Sequence, residues 1–233
     1  WVVNPVNITF DANGGTGGTG PTAMTPGAAL TAPTVTRTGY TFTGWSPSVP
    51  STVPAVSTTY TAQWNLNSYT INWAPNGGSG GGSNSCNHGS TPTPISAGTR
   101  TGYTFNGWSP AIVPATGPTT YTALWSLNSY TITWAADGGT GGGISSCNHG
   151  ATPIPISAGT KTGYTFTGWS PAIVAATGPA TYIAQWTVND YSVSFSAEGG
   201  SGSMPAQTIT FGQTAALTPN AFVKTGYTFT GWA

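Results

Sequence analysis

The heptapeptide Gly39-Tyr40-Thr41-Phe42-Thr43-Gly44-Trp45 returns, with small changes, as Gly102 to Trp108, Gly163 to Trp169 and Gly226 to Trp232, at offsets of 63, 61 and 63 residues. A second string, Tyr60-Thr61-Ala62-Gln63-Trp64, returns as Tyr121 to Trp125 and Tyr182 to Trp186, each time 61 residues on. A third covers Val6 to Phe10, Tyr69 to Trp73, Tyr130 to Trp134 and Tyr191 to Phe195, and runs each time toward a Gly-Gly pair. Self-similarity at such a period marks an array in which each unit is one small supersecondary structure. Trp1 matches the closing Trp of a preceding unit. The complete units are residues 2–64, 65–125 and 126–186, and residues 187–233 form a fourth without its Tyr-x-Ala-Gln-Trp segment.

Within each string the pattern alternates with period two, the signature of a half-buried strand. Tyr69, Ile71 and Trp73 share one face while Thr70 and Asn72 share the other. Tyr103, Phe105 and, past Gly107, Trp108 predict a strand with a bulge at the glycine. No window carries a sustained 3.6-residue apolar period. The sequence therefore predicts a mainly β chain, a tandem array of small antiparallel β modules with little helix. Trp45, Trp64, Trp73, Trp108, Trp125, Trp134, Trp169 and Trp186 are its expected core aromatics. Stretches such as Gly77 to Gly82 and Ser109 to Pro118 read as turns. A module of about sixty residues is marginal by surface-to-volume scaling, so burial between neighbours is expected to help.

Composition narrows the function. Charged residues make up 3% of the chain, with four basic and four acidic side chains, against about 25% in a typical soluble protein. A phosphate-tracking protein needs a basic stripe, so nucleic acid is excluded as a partner. A neutral surface has little self-repulsion, which favours association between copies. No apolar run reaches the roughly 20 residues of a membrane-spanning helix, so no membrane span is expected in this segment. The N-terminus shows no basic-then-apolar leader. The chain starts and stops in mid-pattern, so a leader or anchor could lie beyond it.

The fourth unit, Tyr191 to Gly212 followed by Lys224-Thr225-Gly226-Tyr227-Thr228-Phe229-Thr230-Gly231-Trp232, resembles a Listeria–Bacteroides repeat, also called the internalin B-type repeat. Val6 to Gly15 carries the same opening motif. The resemblance implies small β-grasp-like modules strung along bacterial surface proteins, often adhesins, and it brings no catalytic residues and no cofactor. Units one to three show no counterpart of the strand Gln207-Thr208-Ile209-Thr210-Phe211. Gly/Ser/Pro-rich stretches such as Ser90 to Ile95 stand in its place and are expected to depart from the β-grasp layout.

Several residues invite chemistry. Cys86-Asn87-His88-Gly89 and Cys147-Asn148-His149-Gly150 lie 61 residues apart. Together they hold the ligands of a Cys₂His₂ zinc set, but such sites draw on close clusters rather than equivalent points one repeat apart. A disulfide or crosslink through Cys86 and Cys147 competes with free thiols in polar loops; an intrachain bond needs Cα atoms within about 7 Å, so a bond to another chain is the easier version. Catalysis by Cys and His lacks an acid to orient the imidazole. Asp11, Asp137 and Glu198, with Asn76 in unit two, precede Gly-Gly pairs and read first as turn residues. They are too isolated for paired-acid glycoside chemistry or for calcium. Arg37, Arg100, Lys161 and Lys224 each precede the Gly-Tyr motif by two residues. Each could cover a Trp face, pair with the local acid, or serve as an edge charge; Lys–Asn crosslinks do not suit units with Arg there. Asn7-Ile8-Thr9 forms a glycosylation triplet inside a predicted strand, and O-linked sugars on the Ser/Thr-rich loops stay open.

The expected role is structural: an extracellular or cell-surface bacterial repeat protein forming a stalk or self-assembling filament, and not an enzyme. The alternative is an adhesin whose repeats bind a host protein or a glycan.

Overall fold

The computed structural model describes residues 2–233; Trp1, read above as the end of a preceding unit, lies outside them. The chain forms two compact units, one ending at Ser126 and the other beginning at Leu127. Among the described residues the regular elements are strands, with no helix.

In the first repeat the strands are β1 (Val6–Asp11), β2 (Thr19–Met24), β3 (Tyr40–Ser46) and β4 (Thr58–Leu66), in the sheet order β2-β1-β4-β3. The second repeat holds β5 (Ser68–Ala74), β6 (Gly82–Asn87), β7 (Tyr103–Ser109) and β8 (Thr119–Leu127), in the order β6-β5-β8-β7. The third holds β9 (Ser129–Ala135), β10 (Gly143–Asn148), β11 (Tyr164–Ser170) and β12 (Ala180–Val188), in the order β10-β9-β12-β11. The fourth has a two-stranded sheet of β13 (Asp190–Val193) and β14 (Gln207–Thr210).

This is the mainly β array of small modules that the alternation predicts. The pairing is mixed rather than wholly antiparallel. β1–β2 and β3–β4 are antiparallel, whereas the central β1–β4 pair is parallel, with Ile8 opposite Thr58 and Phe10 opposite Tyr60. The second repeat sets Trp73 opposite Tyr121, and the third sets Trp134 opposite Tyr182. The two buried aromatic strings thus become neighbours at the centre of each sheet. Bulges interrupt β3 between Phe42 and Gly44 and β11 between Phe166 and Gly168, which carries Trp45 and Trp169 back to the core face.

Each complete repeat has its own core. In the first, Ile8, Phe10 and Tyr60 from the sheet meet Leu30 and Val53 from the loops. In the second, Ile71, Trp73, Cys86 and Tyr121 meet Ala115, and the third repeats this with Ile132, Trp134, Cys147, Tyr182 and Ala176. Loops, not a helix, cover the inner face. Aromatic pairs help fill these cores: Trp73 stacks on Tyr121 at 4.8 Å and meets Trp108 edge-on at 5.0 Å.

Two expectations are corrected. The strand thought missing from units one to three is present, as β2, β6 and β10. It lies upstream of the Ser90–Ile95 stretch and includes Gly82, the last residue of a segment read as turn. Cys86 and Cys147 therefore sit in strands, not in polar loops. The boundaries expected after Trp64, Trp125 and Trp186 fall inside β4, β8 and β12, and single residues, Asn67, Asn128 and Asn189, separate the last strand of one repeat from the first of the next.

Candidate functional site: the glycine turn, its aromatic clamp and the repeat junction

The Gly-Gly pairs close a tight turn. Asn13, Asn76, Asp137 and Glu198 adopt φ of 48°, 49°, 49° and 45°, and each is followed by a glycine with positive φ. The amides of Gly15, Gly78, Gly139 and Gly200 then donate to the carbonyls three residues back at 2.9–3.0 Å. Two successive left-handed residues are the geometry of an Asn-Gly hairpin turn, so the turn reading of these positions stands on a conformational ground. The assignment of Asp11 to this set is corrected: Asn13 occupies the turn position in the first repeat, and the Asp11 carboxylate accepts the Asn13 amide at 2.8 Å.

The second glycine of each pair is where the closing tryptophan arrives. Trp64, Trp125 and Trp186 donate their indole N–H to the carbonyls of Ala12, Pro75 and Ala136, each at 2.9 Å. A Cβ on Gly15 would lie 2.6 Å from the Thr36 carbonyl oxygen and 2.8 Å from Trp64 Cζ2, and Gly78 and Gly139 are as crowded by Trp125 and Trp186. The side-chain amides of Asn13 and Asn76 return the bond, donating at 3.0 Å to the carbonyls of Ala62 and Ala123. Turn and last strand are thus tied from both sides, and the repeat closes on itself.

The single cation of each repeat finishes the clamp. Arg37 and Arg100 lie over the rings of Tyr40 and Tyr103 at 3.9 Å, and Lys161 and Lys224 lie over Tyr164 and Tyr227 at 4.7 Å. The ring covered at short range is the tyrosine of the Gly-Tyr motif. Lys161 also stands 5.9 Å from the Trp186 ring. Each cation donates to the carbonyl of the left-handed turn residue: Arg37 to Asn13 at 3.1 Å, Arg100 to Asn76 at 3.2 Å, and Lys161 and Lys224 to Asp137 and Glu198 at 2.8 Å. Pairing with the acid occurs at Lys161–Asp137, 4.0 Å apart with Asp137 mostly exposed, a contact of little energetic weight.

The tryptophans divide into two groups. Trp73 and Trp134 are fully buried, while Trp45, Trp64, Trp108, Trp125, Trp169 and Trp186 are half-buried. Between each half-buried pair sits a phenylalanine, edge-on at 5.4–5.5 Å: Phe42, Phe105 and Phe166, which are 37%, 40% and 39% exposed.

Cys86 and Cys147 are free thiols, each 8% exposed, and their Sγ atoms donate to the carbonyls of Ser90 and Ala151 at 3.2 and 3.3 Å. Register explains them. Cys86 faces Tyr69 as Met24 faces Val6 and Ile209 faces Tyr191, so the cysteine takes an apolar core position. Among the described residues, no three His, Cys, Asp or Glu side chains come together as metal ligands. Among the described residues no helix is long and apolar enough to cross a membrane.

The same register aligns His88 with Phe211, and both rings act at a junction. In the first unit the Asn67 amide donates to Gly39 O at 2.9 Å, Asn67 O accepts from the His88 amide at 2.8 Å, and Asn67 Oδ1 accepts from Thr41 Oγ1 at 2.6 Å. The His88 ring lies against Gly39, where any Cβ would overlap it, and its Nδ1 is 3.1 Å from Tyr69 Oη. In the second unit Asn189 makes the same three bonds, to Gly163, Phe211 and Thr165, at 2.8, 2.8 and 2.6 Å. Phe211 covers Gly163 there. Sequence reasoning missed Asn67, Asn189, Gly39 and Gly163 as connecting residues; their signal was a single Asn at a fixed place between the repeated strings.

A groove of about 770 Å³ runs beside Ser194, Phe195, Tyr227 and Trp232 in the fourth repeat. In the first three repeats β4, β8 and β12 lie between the equivalent segments.

The model of the Listeria–Bacteroides repeat domain matches residues 7–66, 69–123, 130–188 and 191–233, and the chain belongs to this family. It is 24% identical to a protein of Evansella cellulosilytica named as a membrane protein, over all of this chain and 40% of that one. It is 27% identical to a second Evansella cellulosilytica protein, named as a Gly-rich membrane protein, over 86% of this chain and 26% of that one. Internalin H of Listeria monocytogenes is 40% identical over 31% of this chain and 15% of its own length. The chain thus spans less than half of each of these relatives. These relatives come from bacteria, and the chain itself is a tandem-repeat protein.

Proposed function

We propose that this chain is a structural, non-catalytic segment of a bacterial cell-surface protein, a stalk able to assemble with copies of itself. The observation that carries this reading is the junction at Asn67 and Asn189. A flexible string of beads needs linkers whose backbone groups face water. Here the connector is one residue, and its amide, carbonyl and side chain are each bonded to a neighbouring repeat. Such a joint transmits force and orientation, which a stalk requires and an enzyme does not. The surface location rests on the family and on the names of the relatives.

A second reading, an adhesin that binds a glycan or host protein, draws on the exposed Phe42, Phe105 and Phe166, each seated between half-buried tryptophans. Aromatic residues on an uncharged surface are what binding interfaces favour. Electron microscopy of the purified chain, together with a glycan array and host-cell binding, separates the two. Stiff particles or fibres without ligand binding support the stalk. Saturable binding that is lost in Phe105→Ala and Phe166→Ala, from flexible single chains, overturns it.

A further inference from the structure

Each four-stranded sheet has two outer strands. On one side, β3 of the first repeat and β11 of the third are bulged, a distortion that twists an edge away from further pairing. On the other side stand β6, Gly82-Ser83-Asn84-Ser85-Cys86-Asn87, and β10, Gly143-Ile144-Ser145-Ser146-Cys147-Asn148. Neither contains a charge, a proline or a register shift.

Which backbone groups face outward follows from the junction bonds. The His88 amide donates to Asn67 O and the His149 amide to Asn128 O, so alternate residues back along each strand direct their amides at the neighbouring strand. Cys86 and Asn84 point inward in this sense, and Ser85 and Ser83 point away. In β10 the outward residues are Ser146 and Ile144. All four are exposed, Ile144 at 71%. The first repeat differs at this point. Met24 corresponds to Cys86, which places Pro21 at the position of Ser83, and a proline there removes the outward donor.

We propose that β6 and β10 are docking edges for a second copy of this chain, which adds its own β6 or β10 by backbone hydrogen bonding. The inference rests on the self-assembling reading above and names the surface that performs it. Antiparallel pairing of β6 with β6 is self-complementary, so one two-fold contact joins two sheets of four strands into one. A chain of formal net charge zero adds no repulsion to the approach. Each chain carries two such edges, so one copy offers a contact to more than one other copy.

Sedimentation velocity over a concentration series, with negative-stain microscopy, tests this on the full chain. The parent chain is expected to grow with concentration. The double variant Ser85→Pro/Ser146→Pro, which removes only outward donors, is expected to weaken association by about tenfold or more. Ser83→Lys/Ile144→Lys does the same by charge without touching the backbone, and decides the matter should the proline variant unfold. Thr43→Lys/Thr167→Lys, on the bulged edges, is expected to associate like the parent. Edge variants that keep native near-ultraviolet circular dichroism and still assemble like the parent overturn the edge inference while leaving the structural reading in place. A parent chain that stays single at every concentration overturns the edge inference too, and a flexible hydrodynamic profile in the same experiment overturns the stalk reading separately.

Discussion

The junction inside the first unit and the junction inside the second share one set of backbone bonds and differ in the ring that covers the glycine. Asn67 and Asn189 donate to Gly39 and Gly163 and accept from residues 88 and 211 at matching distances. The ring is His88 in one, hydrogen-bonded to Tyr69, and Phe211 in the other, set between Tyr164 at 6.1 Å and Tyr191 at 6.3 Å. What the two have in common is a flat ring over a residue without a side chain. His88, which as part of a Cys-Asn-His string looked like chemistry, holds a position that an inert phenyl group fills equally well. The joint is selected by shape and by backbone bonding.

The largest effect is expected where both features meet. Gly39 and Gly163 have φ of 78° and 76°, and a Cβ on either overlaps the covering ring. Gly39→Ala and Gly163→Ala should each cost about 3 kcal/mol, combining left-handed strain with overpacking. Urea unfolding followed by tryptophan fluorescence, with hydrogen exchange to locate the weakened repeat, measures this; an effect at one glycine alone breaks the equivalence of the joints. Removing the ring comes next. His88→Ala and Phe211→Ala should cost about 2 kcal/mol each, whereas His88→Phe should stay within about 1 kcal/mol of the parent. A His88→Phe loss equal to that of His88→Ala would show that the imidazole has a role of its own.

Asn67→Ala and Asn189→Ala remove the side-chain acceptor for Thr41 and Thr165 and leave the backbone bonds, so about 1 kcal/mol is expected at each. The smallest effect has the opposite sign. Glu198 holds φ of 45° where the first two repeats use Asn. Glu198→Asn should stabilise the fourth repeat by about 0.5 kcal/mol, since Asn tolerates that conformation better. A melting temperature for that repeat that does not rise would count against the turn assignment.

The parts of this molecule legible in its sequence are those where hydrophobic alternation is strong. Tyr69-Thr70-Ile71-Asn72-Trp73 and Tyr121-Thr122-Ala123-Leu124-Trp125 announce strands because large apolar side chains recur with period two. β6 stayed hidden because its sequence, Gly82-Ser83-Asn84-Ser85-Cys86-Asn87, carries a single small apolar side chain and no alternation of large ones. Half-buried Asn84 accepts the Trp73 indole N–H on its Oδ1 at 3.0 Å, a polar contact that no hydropathy pattern reveals. The parallel pairing of β1 with β4 was also beyond the pattern, since alternation fixes which face a residue takes but not which neighbour its strand meets. The cations were visible as a fixed recurrence. Their target was not, because the tyrosine ring and the turn carbonyl that receive each one come together only through the fold.

Amide hydrogen exchange at Asn67 and Asn189, read together with that at His88 and Phe211, reports most directly on whether consecutive repeats are locked at their connecting residue. The asparagine amides are bonded back to the preceding repeat at 2.9 and 2.8 Å, and the His88 and Phe211 amides of the following repeat are bonded to the asparagine carbonyls, each at 2.8 Å. They should therefore exchange as slowly as the amides of the strands on either side, opening only when a whole repeat opens. Exchange at the rate of an exposed loop would mean that the asparagine is a free hinge, and the repeats would then be independent beads.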